Sequence, residues 1–177
     1  MALFKTWVDQ ISTDPSLVTR AVEEGLRRMG YERIKPEQLT AIESLLKGDD
    51  VFVSVPTGFG KSLVYQLLPF CSESLLRFCN SSQTSISAVV VIVSPLISLM
   101  DDQVSKLGAK GVKAVCISGE VSKDAFADVV EGRVTHIFGS PEAFIGNKTW
   151  RSLFGDDRFS GRVVALAIDE AHCIVKW

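Results

Sequence analysis

At 177 residues and a formal net charge of −2, the chain is long enough to bury a core of its own and carries no broad basic field that would advertise nucleic acid. Hydrophobic residues make up 46% and charged residues 23%, which excludes a disordered chain. The longest apolar run, 88–93, is far below the ~20 residues that cross a bilayer, and the first residues lack the apolar stretch of a signal peptide, so no membrane partner is expected and the chain reads as soluble and intracellular.

Residues 1–15 carry little pattern and end on Asp14-Pro15, a turn or helix-start signal. Leu17, Val18, Ala21, Val22 and Leu26 then fall on one helical face, which predicts a helix over 16–29 that stops at Gly30. A second helix is predicted over 36–46, with Pro36 in its first turn and Gly48-Asp49-Asp50 closing it. From there the rhythm changes to short apolar strands alternating with helices. Strands are predicted at 51–55, 88–93, 112–117, 135–138 and 163–168, and helices at 61–70, 96–107 and 123–131. This alternation implies crossover connections and a parallel sheet covered on both faces by helices, an α/β fold. Segments 78–87 and 146–161 read as exposed loops. The four cysteines, Cys71, Cys79, Cys116 and Cys173, show no Cys-x-x-Cys spacing and only two histidines accompany them, so reduced, mostly buried thiols are expected rather than a metal site. His136, inside a β run, reads as a satisfied core histidine.

Two short motifs carry chemistry. Val55-Pro56-Thr57-Gly58-Phe59-Gly60-Lys61-Ser62 follows a β run and opens a helix, an arrangement that aims backbone N–H groups at a phosphate. Gly58 and Gly60 permit close approach, Lys61 would reach the β- and γ-phosphates, and the Ser62 hydroxyl would ligate Mg²⁺. The strict phosphate-loop pattern has glycine where Val55 stands. Read alone, the segment is also compatible with an ordinary glycine turn before a helix. The second motif, Asp169-Glu170-Ala171-His172, lies at the C-terminal tip of a predicted parallel strand, where ligands of such sheets bind. Asp169 would hold Mg²⁺ through water and Glu170 would polarise an attacking water. Together and in this order, the two motifs point to an NTP-driven motor.

The chain resembles the RecQ family of DNA helicases, within helicase superfamily 2, from about residue 30 to Trp177. The likeness rests on Pro56-Thr57-Gly58-Phe59-Gly60-Lys61-Ser62-Leu63-Val64-Tyr65-Gln66, on Val93-Ser94-Pro95-Leu96-Ile97-Ser98-Leu99-Met100-Asp101-Asp102-Gln103, on Ser140-Pro141-Glu142, and on Asp169-Glu170-Ala171-His172 with Trp177 beyond it. Upstream, Gly30-Tyr31-Glu32-Arg33-Ile34-Lys35-Pro36-Glu37-Gln38 is similar to the family's adenine-reading segment, although Met29 and Lys35 stand where the family usually has an aromatic residue and arginine.

The resemblance implies a RecA-like P-loop NTPase sheet sandwiched by helices. An N-terminal helical extension would occupy residues 1–30 and an ATP-binding lobe residues 31–177. It implies ATP and Mg²⁺ as ligands, with Gln38 on the adenine edge and Tyr31 and the Lys35 stem on the base faces. Ser94, Pro95, Leu96, Ser140, Pro141 and Glu142 would touch the backbone of single-stranded DNA, Trp177 would stack on a base or on the coupling loop, and His172 would link the nucleotide site to a partner lobe. The implied activity is ATP-dependent 3′–5′ DNA unwinding in repair and recombination, in the nucleus of a eukaryote or the cytoplasm of a bacterium. On this reading the chain is truncated just after the acidic motif. It would lack a second RecA-like lobe and the strand expected to follow that motif, and would be poorly stable and weakly active alone. The alternative is a degenerate or truncated nucleotide- or DNA-binding module without motor activity. A kinase or GTPase is disfavoured by the acidic motif and by the absence of a guanine-reading Asn-Lys-x-Asp.

Overall fold

The computed structural model describes residues 5–79, 87–117 and 122–171. The chain divides into two compact units, Met1–Ala88 and Val89–Trp177.

The first unit is helical. It comprises α1 (Lys5–Thr13), α2 (Ser16–Arg28), α3 (Pro36–Lys47) and α4 (Ser62–Cys79), and α4 packs against the other three. The apolar stripe read for the second helix is its buried face, through Val18, Ala21, Val22 and Leu26. Gly25 continues that face, where an added Cβ would stand 3.1 Å from Cys71 Sγ, so α2 and α4 meet closely there. Helix α1 was not legible from the weak pattern of 1–15. It is held by Trp7 and Ile11, one turn apart and both buried, and by the Trp7 indole Nε1–H donating to the Leu46 carbonyl at 2.9 Å. Helix α4 runs nine residues past its expected end, straight through Pro69, because its buried side chains continue to Leu76.

Cys71, Cys79 and Cys116 form no disulfide among the described residues, but only Cys71 is fully buried, with its thiol pushed up to about 12 by burial and so inert as a nucleophile. Cys79 and Cys116 are half-buried, which corrects the expectation of mostly buried thiols; Cys173 lies outside the described residues.

Two ion pairs tie the rims of α2 and α4, Arg28–Glu73 at 2.6 Å and Arg77–Glu24 at 2.7 Å. The hydrogen bond from Arg77 holds the Glu24 carboxyl below the usual carboxylate range. A depressed folded-state value contributes stability above that range, and the contribution is lost as the pH falls through it. Glu24→Gln is therefore expected to lower stability at pH 7 by no more than about 1 kcal/mol, since Arg77 is half exposed. Thermal melts of the two chains across pH check this, and their midpoints should converge in acid.

One expected strand is absent. Residues 51–55 belong to no helix or sheet among the described residues, and Phe52 is 82% exposed. Alternating β-branched residues prepare a segment for pairing, but a strand exists only where a neighbour supplies the ladder of hydrogen bonds.

The second unit contains β1 (Val89–Val93), α5 (Ile97–Ala109), β2 (Ala114–Ile117), α6 (Lys123–Val130), β3 (His136–Gly139), α7 (Pro141–Gly146), α8 (Lys148–Phe154), α9 (Asp157–Ser160) and β4 (Val163–Ile168). All strands are parallel, in the order β2-β3-β1-β4. Crossovers through helices explain why each strand reads as an uninterrupted apolar run. On one face Val89, Ile117 and Ile137 pack with Val129 of α6, Trp150 and Leu153 of α8, and Phe159 of α9. Helix α5 packs on β2 and β3 and buries Met100 and Leu107. This parallel sheet with flanking helices is the α/β architecture of a RecA-like P-loop NTPase lobe. His136 is fully buried, with Nδ1 2.8 Å from Thr135 Oγ1, as a core histidine should be.

The segment 146–161, expected as a loop, instead holds α8 and α9. Each starts on a side-chain cap: Asn147 Oδ1 accepts from Thr149 and Trp150, and Asp156 Oδ1 from Arg158 and Phe159. Of the expected loop 78–87, Phe78 and Cys79 end α4, and 80–86 lie outside the described residues. Among the described residues no helix is long and apolar enough to cross a membrane.

Candidate functional site

In the first unit the segment 56–61 turns into α4 through Gly58 and Gly60, whose φ angles are 80° and 93°. Such values are open to glycine and strained for other residues, so the turn needs both. The N–H groups of Thr57, Gly58, Gly60, Lys61 and Ser62 donate to no acceptor among the described residues. Five donors without partners at the start of an 18-residue helix form a place for an anion. Nothing lies within 4 Å of the point where a Gly58 Cβ would be, so the turn is open on that side. Lys61 folds back over its own loop, its Nζ donating to the Val55 carbonyl at 3.0 Å. Ser62 is the first residue of α4.

Gln38 and Lys35 reach this loop from α3. Gln38 is 4% exposed, so it is not a solvated first-turn residue. Its Oε1 accepts from the Lys35 N–H at 2.9 Å, capping α3, and its Nε2 donates to the Gly60 carbonyl at 2.9 Å and the Phe59 carbonyl at 3.4 Å. A Cβ on Gly60 would stand 2.8 Å from that Nε2, a second reason for glycine there. Lys35 Nζ donates to the Phe59 carbonyl at 2.9 Å and lies 4.0 Å from the Phe59 ring centroid. Tyr31 is exposed beyond the end of α2, its N–H on the Leu26 carbonyl at 2.9 Å. The structure thus joins Lys35 and Gln38 to the loop 55–62 through hydrogen bonds that span 21 to 24 residues in sequence.

In the second unit the remaining described candidates gather at the C-terminal edge of the sheet. Val93 of β1 is in register with Gly139 of β3 and Ile168 of β4. The ladder continues one step further, the Ser94 N–H donating to Gly139 at 3.0 Å and the Asp169 N–H to Val93 at 2.8 Å. Ser94, Ser140 and Asp169 therefore follow the ends of three adjacent strands. Glu170 has a φ of 54°, the one non-glycine in the left-handed region among the described residues, and its N–H donates to Asp169 Oδ1 at 3.1 Å. Ser140 caps α7, its Oγ accepting from the Ala143 N–H at 3.2 Å, and Pro141 is the first helical residue. Hydrogen bonds from its own N–H and from Ser140 hold the Glu142 carboxyl below the usual range. Ser94 Oγ is buried and meets no partner among the described residues, while Leu96, just past half-buried Pro95, is 55% exposed. His172 and Trp177 lie outside the described residues.

The pattern of the DEAD/DEAH box helicase family matches residues 35–177, most of the chain and every motif above except Tyr31. This chain belongs to the DEAD/DEAH box helicase family. Its relatives include the ATP-dependent helicase SGS1 of Saccharomyces cerevisiae, 34% identical over 81% of the chain and 10% of the relative. The ATP-dependent DNA helicase RecQ of Synechocystis sp. is 30% identical over 89% of the chain and 30% of its own length. The ATP-dependent DNA helicase Q4 of Mus musculus is 34% identical over 95% of the chain and 13% of its own length. The helicase chain is thus RecQ-like, and it spans between about a tenth and three tenths of these relatives.

The donor chemistry suits the family's ligands. Hydroxyl and carboxylate oxygens such as those of Ser62 and Asp169 are hard ligands of the kind Mg²⁺ takes. Among the described residues no group of three His, Cys, Asp or Glu side chains could hold a metal alone. The sequence reading missed the pairing of Lys35 with Phe59 and the use of the Val55 carbonyl by Lys61. Periodicity gives no sign of either. An aromatic residue set between two loop glycines was the available signal.

Proposed function

We propose that this helicase-family chain is the ATP-binding N-terminal part of a RecQ-like 3′–5′ DNA helicase. ATP hydrolysis would be coupled to DNA unwinding with a second RecA-like lobe. The observation that carries the reading is the set of five N–H groups in the turn leading into α4 that meet no acceptor among the described residues, with the Lys61 ammonium beside them. The loop 56–62 takes the phosphates: its N–H groups bind their oxygens, and Lys61 leaves the Val55 carbonyl for the β- and γ-phosphates. Tyr31, Lys35 and Gln38 take the adenine. Ser62 and Asp169 hold Mg²⁺, which when bound neutralises developing charge on the phosphates. Glu170, its backbone set by the Asp169 carboxylate, orients and polarises the attacking water, and His172 relays the state of the site to the second lobe.

Ser94, Pro95, Leu96, Ser140, Pro141, Glu142 and Trp177 form the single-stranded DNA contact. The exposed Leu96 supports that assignment, and contacts of this type need no basic surface. In this reading the ATP-binding domain begins at about residue 31, after a helical extension over 1–30, and the protein acts in the nucleus of a eukaryote or the cytoplasm of a bacterium.

Equilibrium titration with a fluorescent ATP analogue and Mg²⁺ tests the reading. ATP should displace the probe at least tenfold more effectively than GTP, because the Gln38 amide, once it leaves the Lys35 N–H and the Gly60 carbonyl, can both donate to and accept from an adenine edge. Equal displacement by GTP, or no binding of the probe, would defeat the proposal.

A further inference from the structure

We infer that Phe59 is a positioning residue for the nucleotide base, acting through Lys35. This rests on the adenine-binding reading above and deepens it. Lys35 is fixed at its backbone end by the first turn of α3: its carbonyl accepts from the Leu39 N–H at 3.0 Å, and its own N–H donates to Gln38 Oε1 at 2.9 Å. At the other end the ammonium makes two contacts with one residue, the Phe59 carbonyl at 2.9 Å and the Phe59 ring centroid at 4.0 Å. A four-carbon stem held at both ends is no longer a free rotor.

The consequence is chemical. A lysine stem is a poor wall for a base, because an unrestrained chain must be ordered each time the base arrives, whereas a planar guanidinium is already flat and rigid. Phe59 supplies that order beforehand, and the stem becomes a fixed apolar ledge on the base side of the loop. Glycine or a small residue between Gly58 and Gly60 would leave the ammonium with the carbonyl alone. Phe59 is half-buried and carries no polar group, so its ring has this work to do without contacting the phosphates itself. The same two contacts join α3 to the phosphate loop, alongside the Gln38 bonds to Phe59 and Gly60. Base recognition and phosphate grip then form one mechanical unit, and disturbing Phe59 weakens the former while sparing the latter.

The test compares ATP with inorganic tripolyphosphate, which has the phosphates and no base, on the whole chain by calorimetric titration. Phe59→Leu, which keeps the bulk but removes the cation–π contact, should weaken ATP binding about two- to fivefold and leave tripolyphosphate binding unchanged. Phe59→Trp should retain ATP affinity. In a Lys35→Ala background Phe59→Leu should have no further effect on ATP, and in a Lys35→Arg background its penalty should shrink, because the guanidinium is rigid without it. Equal losses for ATP and tripolyphosphate, or losses that add in the double variant, would overturn the role of Phe59 while leaving nucleotide binding intact. Failure of the unmodified chain to bind either ligand would remove the nucleotide reading and this inference together.

Discussion

Lys61→Ala is expected to weaken MgATP binding by about a hundredfold or more, with no loss of folded structure. The ammonium is the one side-chain cation on the loop 55–62, and its present partner is a neutral carbonyl at 3.0 Å. A unit charge 4 Å from a phosphate oxygen at an effective dielectric near 20 is worth about 4 kcal/mol. Release from the carbonyl and partial solvation reduce that to about 3 kcal/mol, or a factor of a hundred in affinity. Lys61→Arg should rescue little, because a forked guanidinium does not fit where a point charge reaches in along a backbone turn. Calorimetric titration gives the affinity, and circular dichroism melts show whether the fold survives. Retention of affinity within tenfold would mean that the phosphates sit elsewhere.

The second large effect is on stability. Trp150→Ala should cost the second unit about 3–5 kcal/mol, a large part of the 5–15 kcal/mol typical of a folded domain. Trp150 is fully buried beside Val89, Ile137 and Phe159 and meets the Phe126 ring edge-to-face at 5.4 Å. Helix α8 has seven residues, too few to persist unaided, so the indole is what secures it to the sheet. A denaturant titration followed by far-ultraviolet circular dichroism should show the midpoint of the second unit falling. A shift corresponding to less than 1 kcal/mol would imply that the neighbouring side chains close the cavity.

The same tryptophan illustrates what the sequence conceals. Segment 146–161 reads as a loop by its Gly, Asp and Arg content, yet Trp150, Leu153 and Phe159 pack onto the sheet from short helices whose starts are set by Asn147 and Asp156. Residues such as Asn and Asp serve turns and helix caps alike, and only the tertiary position of the aromatics separates the two cases. The four sheet strands were legible from their apolar runs, such as Val89–Val93, which is buried up to its last residue, although Leu166 and Ile168 of β4 are exposed. Segment 51–55 has the same local character and forms no ladder, because pairing is a property of two segments and local preference belongs to one. At the proposed nucleotide site, residue types and spacing pointed to the loop 56–62, and the family resemblance pointed to Gln38 and Lys35. The bonds from Gln38 to Gly60 and from Lys35 to Phe59 join positions 22 and 24 residues apart, a distance no local pattern spans.

Glu170 holds a backbone geometry that an L-amino acid with a side chain adopts at a cost of about 1–2 kcal/mol. Anyone raising the heat tolerance of this polypeptide would find position 170 tempting, since glycine there relaxes the chain. That gain would be bought with the one carboxylate assigned to the water. Under the role proposed for Glu170, thermal robustness and turnover would pull in opposite directions at this residue, and screens that reward only melting temperature would select inactive molecules.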